Sequence, residues 1–425
     1  MITPRHAAPD APTAHRLFSA RGPGLPEHQR RFGALPESAG KTLVTMLDEA
    51  GLTGRGGAGF PAGRKVESVT GRKPVVIGNG AEGEPLSRKD AVLLTHAPHL
   101  VLDGLQAAAA AVGADKVFMY VPSRGIPTVK EALDERRAAG WDRRQVTVVE
   151  APDTFVAGEE SAVVRRIEGG PALPRDRTVL TTICGVRGRP TLVNNVETLA
   201  HIALIARYGP RWFRSIGDRA EPGTMLVTLS GALNERGVVE VPTGTSLTDL
   251  VGRNGSTNLR TLRAVLAGGY HGSWIPAAAA FDGARLSRDS LARFKASPGA
   301  GIIHALGVDE CGLARTADIA AYLAEESAGQ CGPCLNGLPR LAQLLDELAY
   351  SRVGDSLLDE IHRMLGLVDG RGSCRHPDGT ARLIRSALDV FATDIAHHRH
   401  GRCDALLITA CSTADHSVRP DARPT

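Results

Sequence analysis

The chain has 425 residues, 42% apolar and 23% charged. That is a globular composition, with room for roughly two to four domains of about 100 to 200 residues, and it excludes disorder, collagen and a small disulfide scaffold. Fifty Lys and Arg against 46 Asp and Glu leave a dispersed net charge of +4, and aromatics make up only 4%, so neither a nucleic-acid surface nor a base-stacking platform is expected. The longest uncharged apolar stretch, Ala264 to Phe281, contains three Gly, a Pro and a His and does not suit lipid. The N-terminus, MITPRHAAPDAPTAHRL, lacks the apolar core of a signal peptide. A cytoplasmic protein with no direct membrane insertion and with reduced cysteines is the expectation.

Both ends, the last ten residues above all, are rich in Pro, Arg and small residues and read as weakly ordered tails, 1–24 and 416–425. Lys73 to Gly78, Lys116 to Val121 and Gln145 to Glu150 are β runs, with helices at Leu100 to Val112 and Ile126 to Gly140 between them. Strands alternating with helices predict a covered parallel sheet. Past residue 222, Met225 to Gly231 and Val238 to Val241 predict a hairpin, followed by a short helix from Ser246 and a strand at Arg263 to Leu266. From Ala317 the texture is helical: Ile319 to Glu326, Leu338 to Leu348, Leu357 to Leu367 and Ala381 to His398, which makes a four-helix bundle.

Gly51 to Lys65, GLTGRGGAGFPAGRK, holds six glycines in fifteen residues, beside the charges of Arg55 and Lys65. Consecutive amides without Cβ atoms can cradle a phosphate. The run matches neither the dinucleotide fingerprint nor the P-loop, and a turning loop without a ligand is the competing reading. Three polar clusters follow: Asn79 to Pro85, Gly158 to Ser161 and Val193 to Thr198. The first comes directly after a predicted strand, where open α/β sheets place their ligand crevice. Taken singly, each also reads as a turn or a helix start.

Cys331-Gly-Pro-Cys334 is followed by Cys374, a thiolate pattern suited to an iron–sulfur cluster or zinc. A redox pair is disfavoured because the βαβ context is missing. Cys184, Cys311, Cys403 and Cys411 show no ligand spacing and default to ordinary thiols.

In order, GRGGAGFPAGRK (54–65), GNGAEGEPLSRKD (78–90), FVAGEESAVVRRIEG (155–169), GRPTLVNNVETL (188–199), ESAGQCGPCLNGLPR (326–340) and SCRHPDG (373–379) resemble the NADH-binding flavoprotein subunit of respiratory complex I and the diaphorases of NAD-linked hydrogenases and formate dehydrogenases. The resemblance implies an α/β flavin-binding domain over 37–221, a ubiquitin-like β-grasp (SLBB-type) module over 222–300 and a cluster-bearing four-helix bundle over 317–400. It implies that Gly54, Arg55, Gly56, Gly57, Lys65, Asn79, Glu82, Glu84, Gly158, Glu159, Val193, Asn194 and Asn195 hold FMN or line its pocket. Phe60 and Glu160 then contact NADH, Glu82 and Glu160 are the catalytic carboxylates, and Cys331, Cys334 and Cys374 are cluster ligands.

The chain departs from the family pattern at several positions. Ala328 stands at the first cluster cysteine, Ala81 at an Asp, Leu86 at a Gly, Ser68 and Leu180 at aromatic residues, and Arg177 at a Lys. The resemblance therefore implies a [3Fe–4S] cluster, or a [4Fe–4S] cluster whose fourth iron takes water, a carboxylate or His376. The implied function is an NADH:acceptor, quinone-type oxidoreductase subunit passing electrons from NAD(P)H through FMN to the cluster and on to a ferredoxin-like or complex I-type partner, peripheral to a membrane complex. The alternative is a degenerate relay or assembly subunit that no longer binds NADH.

Overall fold

The computed structural model describes residues 15–36, 39–176, 179–350 and 354–405. Residues 1–14 and 416–425 of the expected tails, together with Arg177 and Cys411, lie outside the described residues.

Four β-branched runs form a parallel sheet: β1 (Val75–Asn79), β2 (Lys116–Pro122), β3 (Val146–Ala151) and β4 (Thr191–Asn195), in the order β3-β2-β1-β4. One face packs Val76, Val117, Met119 and Leu192 against the helices Pro98–Ala111 and Val196–Phe213, and the other packs Ile77, Tyr120 and Val193 against Val163 and Val164. The two long helices touch backbone to backbone at Gly104, where a Cβ would lie 1.8 Å from Leu199 O. The three predicted strands and two predicted helices of this region are present within two residues at each end. β4 and the helix after it were not foreseen.

A second, mixed sheet contains β5 (Thr224–Gly231), β6 (Gly237–Pro242), β7 (Leu262–Ala267), β8 (Ser273–Pro276) and β9 (Ile302–Gly307), in the order β6-β5-β9-β7-β8. The expected hairpin is the antiparallel pair β5/β6. β9 is buried along its whole length and pairs parallel with β5 and antiparallel with β7, so the sheet runs past the expected boundary at residue 300.

Helices Gly312–Glu325, Leu338–Tyr350, Asp355–Val368, His376–Val390 and Ala392–Arg399 share an apolar core that includes Leu323, Leu341, Leu345, Ile361, Leu365 and Ile384. The continuous helix expected at Ala381 to His398 is in fact two helices, broken at Phe391. The Phe391 ring occupies the space a Cβ on Gly312 would need, at 2.3 Å, and meets Trp274 edge-on at 5.4 Å. Packing of one ring between two elements thus overrides local helix propensity.

The stretch 15–24, expected to be weakly ordered, is anchored. Leu17 is fully buried, and the N–H groups of Arg16 and Leu17 donate to the Glu240 carboxylate at 3.0 Å. The Arg16 guanidinium lies 4.0 Å from the Trp212 ring centroid. Burial pushes Glu240 up to about 7, against its bonds from Thr224, Leu17 and Arg16.

Candidate functional site

β1 and β4 are neighbours, with Gly78 beside Asn194 and Asn79 beside Asn195, while the chain order places β2 on the far side of β1. This is a topological switch point, and the loops leaving its carboxyl ends enclose a crevice. The glycine-rich loop comes up to it: Gly56 is so close to Asn195 that a Cβ would lie 3.3 Å from the Asn195 Cβ, and Gly57 and Gly59 adopt φ of 108° and 64°. Lys65, on the short helix Ala62–Glu67, donates from Nζ to Val193 O at 2.7 Å and pairs with Glu160 Oε1 at 3.0 Å. Asn79 Nδ2 donates to Gly158 O at 2.9 Å. Asn194 is buried, and its Nδ2 has no hydrogen-bond partner among the described residues. The glycine loop and all three polar clusters therefore meet at one place.

Glu159 caps the helix Glu160–Ile167, accepting from Ser161 N at 2.8 Å and Ala162 N at 3.1 Å. Glu82 does similar work, accepting from Asp90 N at 3.1 Å, Ala91 N at 3.2 Å and the Ser87 hydroxyl. Its two oxygens thus hold the start of the helix Lys89–His96. Glu84 accepts from Tyr270 N at 2.8 Å, which joins the crevice to the turn after β7, and burial pushes it up to about 7 against that bond.

Arg55 lies inside the glycine loop, yet its side chain turns away from the crevice. The guanidinium donates to Thr53 O and to the carbonyls of Pro222 and Thr224, and its own amide donates to Thr198 Oγ1 at 2.9 Å. It therefore braces the junction between the two sheets. The positive charge that the sequence places beside the cradle is thus directed at the carbonyls of Thr53, Pro222 and Thr224.

A buried charge cluster lies below the crevice. Lys89 Nζ contacts Asp90 Oδ1 at 2.7 Å and Glu197 Oε2 at 2.9 Å, and Asn195 Nδ2 donates to Asp90 Oδ2 at 2.7 Å. Burial pushes Glu197 up, but Lys89, His201 and Arg55 more than offset it and leave it at about 2. Lys89, Asp90 and Glu197 were not singled out from the sequence. The signal was their place within the quoted SRKD and VETL motifs, where charged side chains flank predicted crevice residues. Phe60 and Leu180 are 53% and 66% exposed, and the Ser68 hydroxyl donates to Lys65 O at 2.8 Å.

Cys331, Cys334 and Cys374 come together. Burial opposes the charged form of Cys331, yet backbone N–H groups of Ser373 and Cys334 bring it below the usual thiol range. Burial, with Cys331 and Cys374 nearby, raises Cys334 to about 11. The Gly329 amide reaches Cys334, which places Ala328 one residue from the thiol group.

Both ring nitrogens of His376 have partners in the protein. Its Nε2 lies 2.7 Å from Leu323 O, which can only accept, so Nε2 carries the proton. Its Nδ1 then accepts from His271 Nε2 at 3.1 Å. Burial disfavours the charged form of both histidines. Phe155 packs on these rings, 4.7 Å from His271 and 5.3 Å from His376, and links the Gly158 loop of the crevice to the cysteine end of the helices.

Residues 47–204 match the Nuo51 FMN-binding domain, and residues 314–398 match the NADH-ubiquinone oxidoreductase-F iron–sulfur binding region. The chain is 30% identical to the second F subunit of NADH-quinone oxidoreductase from Rhizobium meliloti (strain 1021) over 412 residues, 93% of this chain and 97% of the relative. It is 30% identical to the HndC subunit of the NADP-reducing hydrogenase of Solidesulfovibrio fructosivorans over 390 residues, 87% of this chain and 79% of that one. In three dimensions it is similar to the NAD+-reducing [NiFe]-hydrogenase in the H2-reduced state, with a TM-score of 0.78 at 29% identity, over 85% of this chain. It spans 63% of that hydrogenase chain. Among the described residues no helix is long and apolar enough to cross a membrane. The chain belongs to the family of FMN- and NADH-binding F subunits of NADH-quinone oxidoreductase and their counterparts in NAD(P)-linked hydrogenases.

Proposed function

We propose that this family member oxidises a reduced nicotinamide dinucleotide at FMN held in the β1/β4 crevice, and delivers electrons through a cluster on Cys331, Cys334 and Cys374 to a partner electron-transfer subunit. Bound FMN supplies the change from a two-electron hydride donor to one-electron transfers. The chain's residues fit that cofactor. Gly56 lets the loop backbone approach Asn195 with no Cβ between them, and the Asn194 amide, which has no partner among the described residues, is a donor in need of an acceptor. The pairing of Lys65 with both Val193 O and Glu160 carries the proposal, because it ties the wall of the crevice to a carboxylate at its mouth.

In this reading Lys65 fixes Glu160 at the nicotinamide-binding end, with the exposed Phe60 ring as a stacking surface. Glu82 is a positioning residue, since its oxygens cap the helix Lys89–His96. Glu159 has the same task on the next helix. We read the second sheet as a β-grasp module extending to Gly307, and the helices as the family's bundle with its last helix broken at Phe391. Three thiols suit three corners of a cluster, and with Ala328 at the fourth position and His376 occupied, the open corner falls to water or a carboxylate. Asp176 lines the same cleft as Cys374.

Diaphorase activity with a soluble one-electron acceptor tests the proposal. FMN-reconstituted protein should turn over NADH, and Lys65→Met should raise KM. Absence of turnover with flavin bound would favour the relay reading, for which Ala328 and Leu180 speak.

A further inference from the structure

The sequence treats Cys311 and Cys403 as unrelated thiols at opposite ends of the helical region. Folding brings them together. Cys311 is the residue just before the helix Gly312–Glu325, His398 sits near the end of the helix Ala392–Arg399, and Cys403 follows on the next turn. Cys311 Sγ lies 3.7 Å from His398 Nε2, and these two atoms and Cys403 Sγ all lie within 4.8 Å of one another. Among the described residues this is the one His, Cys, Asp and Glu group so assembled.

From this geometry we propose that Cys311, His398 and Cys403 form a zinc site separate from the cluster cysteines. Zn–S bonds near 2.3 Å and Zn–N bonds near 2.0 Å in a tetrahedron place the donors about 3.5 to 3.8 Å apart. The Cys311–His398 separation already meets that spacing. His398 is buried, and its Nδ1 lies 3.2 Å from Leu348 O, which can only accept. The ring proton therefore sits on Nδ1 and the Nε2 lone pair is directed at the sulfurs. A backbone carbonyl orienting a ligating imidazole in this way is the usual outer support of a metal site. Two thiols and an imidazole select zinc over magnesium or calcium. Both thiols give up protons to the solvent on binding, the zinc stays divalent, and no oxidant or reductant is needed.

The site fastens the beginning of the helical region to its end. Cys311 adjoins Gly312, which the Phe391 ring covers, and His398 sits in the last turn of the short helix that starts at Ala392, directly after that ring. A zinc ion would clamp the break at Phe391 from outside and close the helices into one loop, with a solvent molecule as fourth ligand.

The test uses the full chain, reduced and stripped with a chelator, then titrated anaerobically with cobalt(II) and separately with zinc. Cobalt should give the visible bands of a tetrahedral thiolate site, and Cys403→Ser and His398→Gln should each bind one metal equivalent fewer than wild type. The same loss should appear in a Cys331→Ser background, because the sites are separate. Zinc should raise Tm in wild type and leave both variants unmoved, while flavin content stays the same in all three. Should the variants fail to fold, zinc-edge absorption on wild type decides, with a mixed sulfur and nitrogen shell expected. Equal metal content in wild type and both variants overturns the proposal. So does an all-sulfur shell, or loss of all metal on Cys331→Ser alone.

Discussion

Lys65 Nζ stands 3.0 Å from Glu160 Oε1 and 2.7 Å from Val193 O, so one ammonium joins β4 to the helix that begins at Glu160. Both side chains are about three-quarters covered. Removing the ammonium takes one charged contact from the Glu160 carboxylate and one donor from the Val193 carbonyl, at about 1 to 3 kcal/mol. Lys65→Met should therefore weaken FMN or NADH binding roughly tenfold to a hundredfold, read by fluorescence titration of the apo-protein, and Lys65→Arg should recover part of it. Unchanged affinities would remove Lys65 from the site.

Gly56→Val tests the cradle itself. The Gly56 Cβ position is already 3.3 Å from the Asn195 Cβ, so a branched side chain must push the loop and Asn195 apart. The variant should fold, by circular dichroism, at some cost in Tm, and hold no stoichiometric flavin by absorbance. Full flavin content would place the phosphate elsewhere.

The Glu240 anchor predicts a pH dependence. Its folded value is raised to about 7 from an ordinary 4.5, so the native state binds the extra proton between those values. The stabilisation is complete below about 4.5 and is lost as pH rises through 7, at no more than about 1.4 kcal/mol per pH unit for one proton. Thermal melts should show wild type losing Tm from pH 5 to 8 more steeply than Glu240→Gln. Parallel profiles would mean that Glu240 does not titrate in that window.

Much of this architecture could be read in the chain before folding. The β-branched runs at Val75, Val117 and Val146 announced three strands of the parallel sheet, because buried strands need continuous apolar residues. β4 was missed because it is five residues long and ends in two asparagines that look like a turn, and β9 because nothing local marks a strand as central. The motifs located the crevice, but not how its side chains divide the work. Arg55 reads as a charge beside the cradle, and its guanidinium donates to the carbonyls of Pro222 and Thr224. His376, two residues after Cys374, suited a ligand until its ring was seen between Leu323 O and His271. Cys311 and Cys403 carried no signal, since residues far apart in sequence become neighbours only through the packing of the helices between them.

Ala328→Cys would supply the missing thiolate one residue from Gly329, whose amide reaches Cys334. Anaerobic reconstitution should give wild type a cluster with an open or absent corner, about three firmly held irons per chain, and the variant a complete cube that survives air longer. Iron and sulfide analysis with EPR reads both. Equal iron and equal air sensitivity would show that position 328 does not face the cluster.

The proposed chemistry depends on the crevice joining a nicotinamide donor to a bound flavin. Anaerobic titration of FMN-reconstituted wild-type protein with NADH, followed in the visible spectrum, probes that junction without any partner subunit. The oxidised flavin bands should bleach with stoichiometric NADH, and the Gly56→Val protein should show no such change. A wild-type flavin spectrum that stays oxidised under excess NADH, or a protein that never retains FMN, would contradict it.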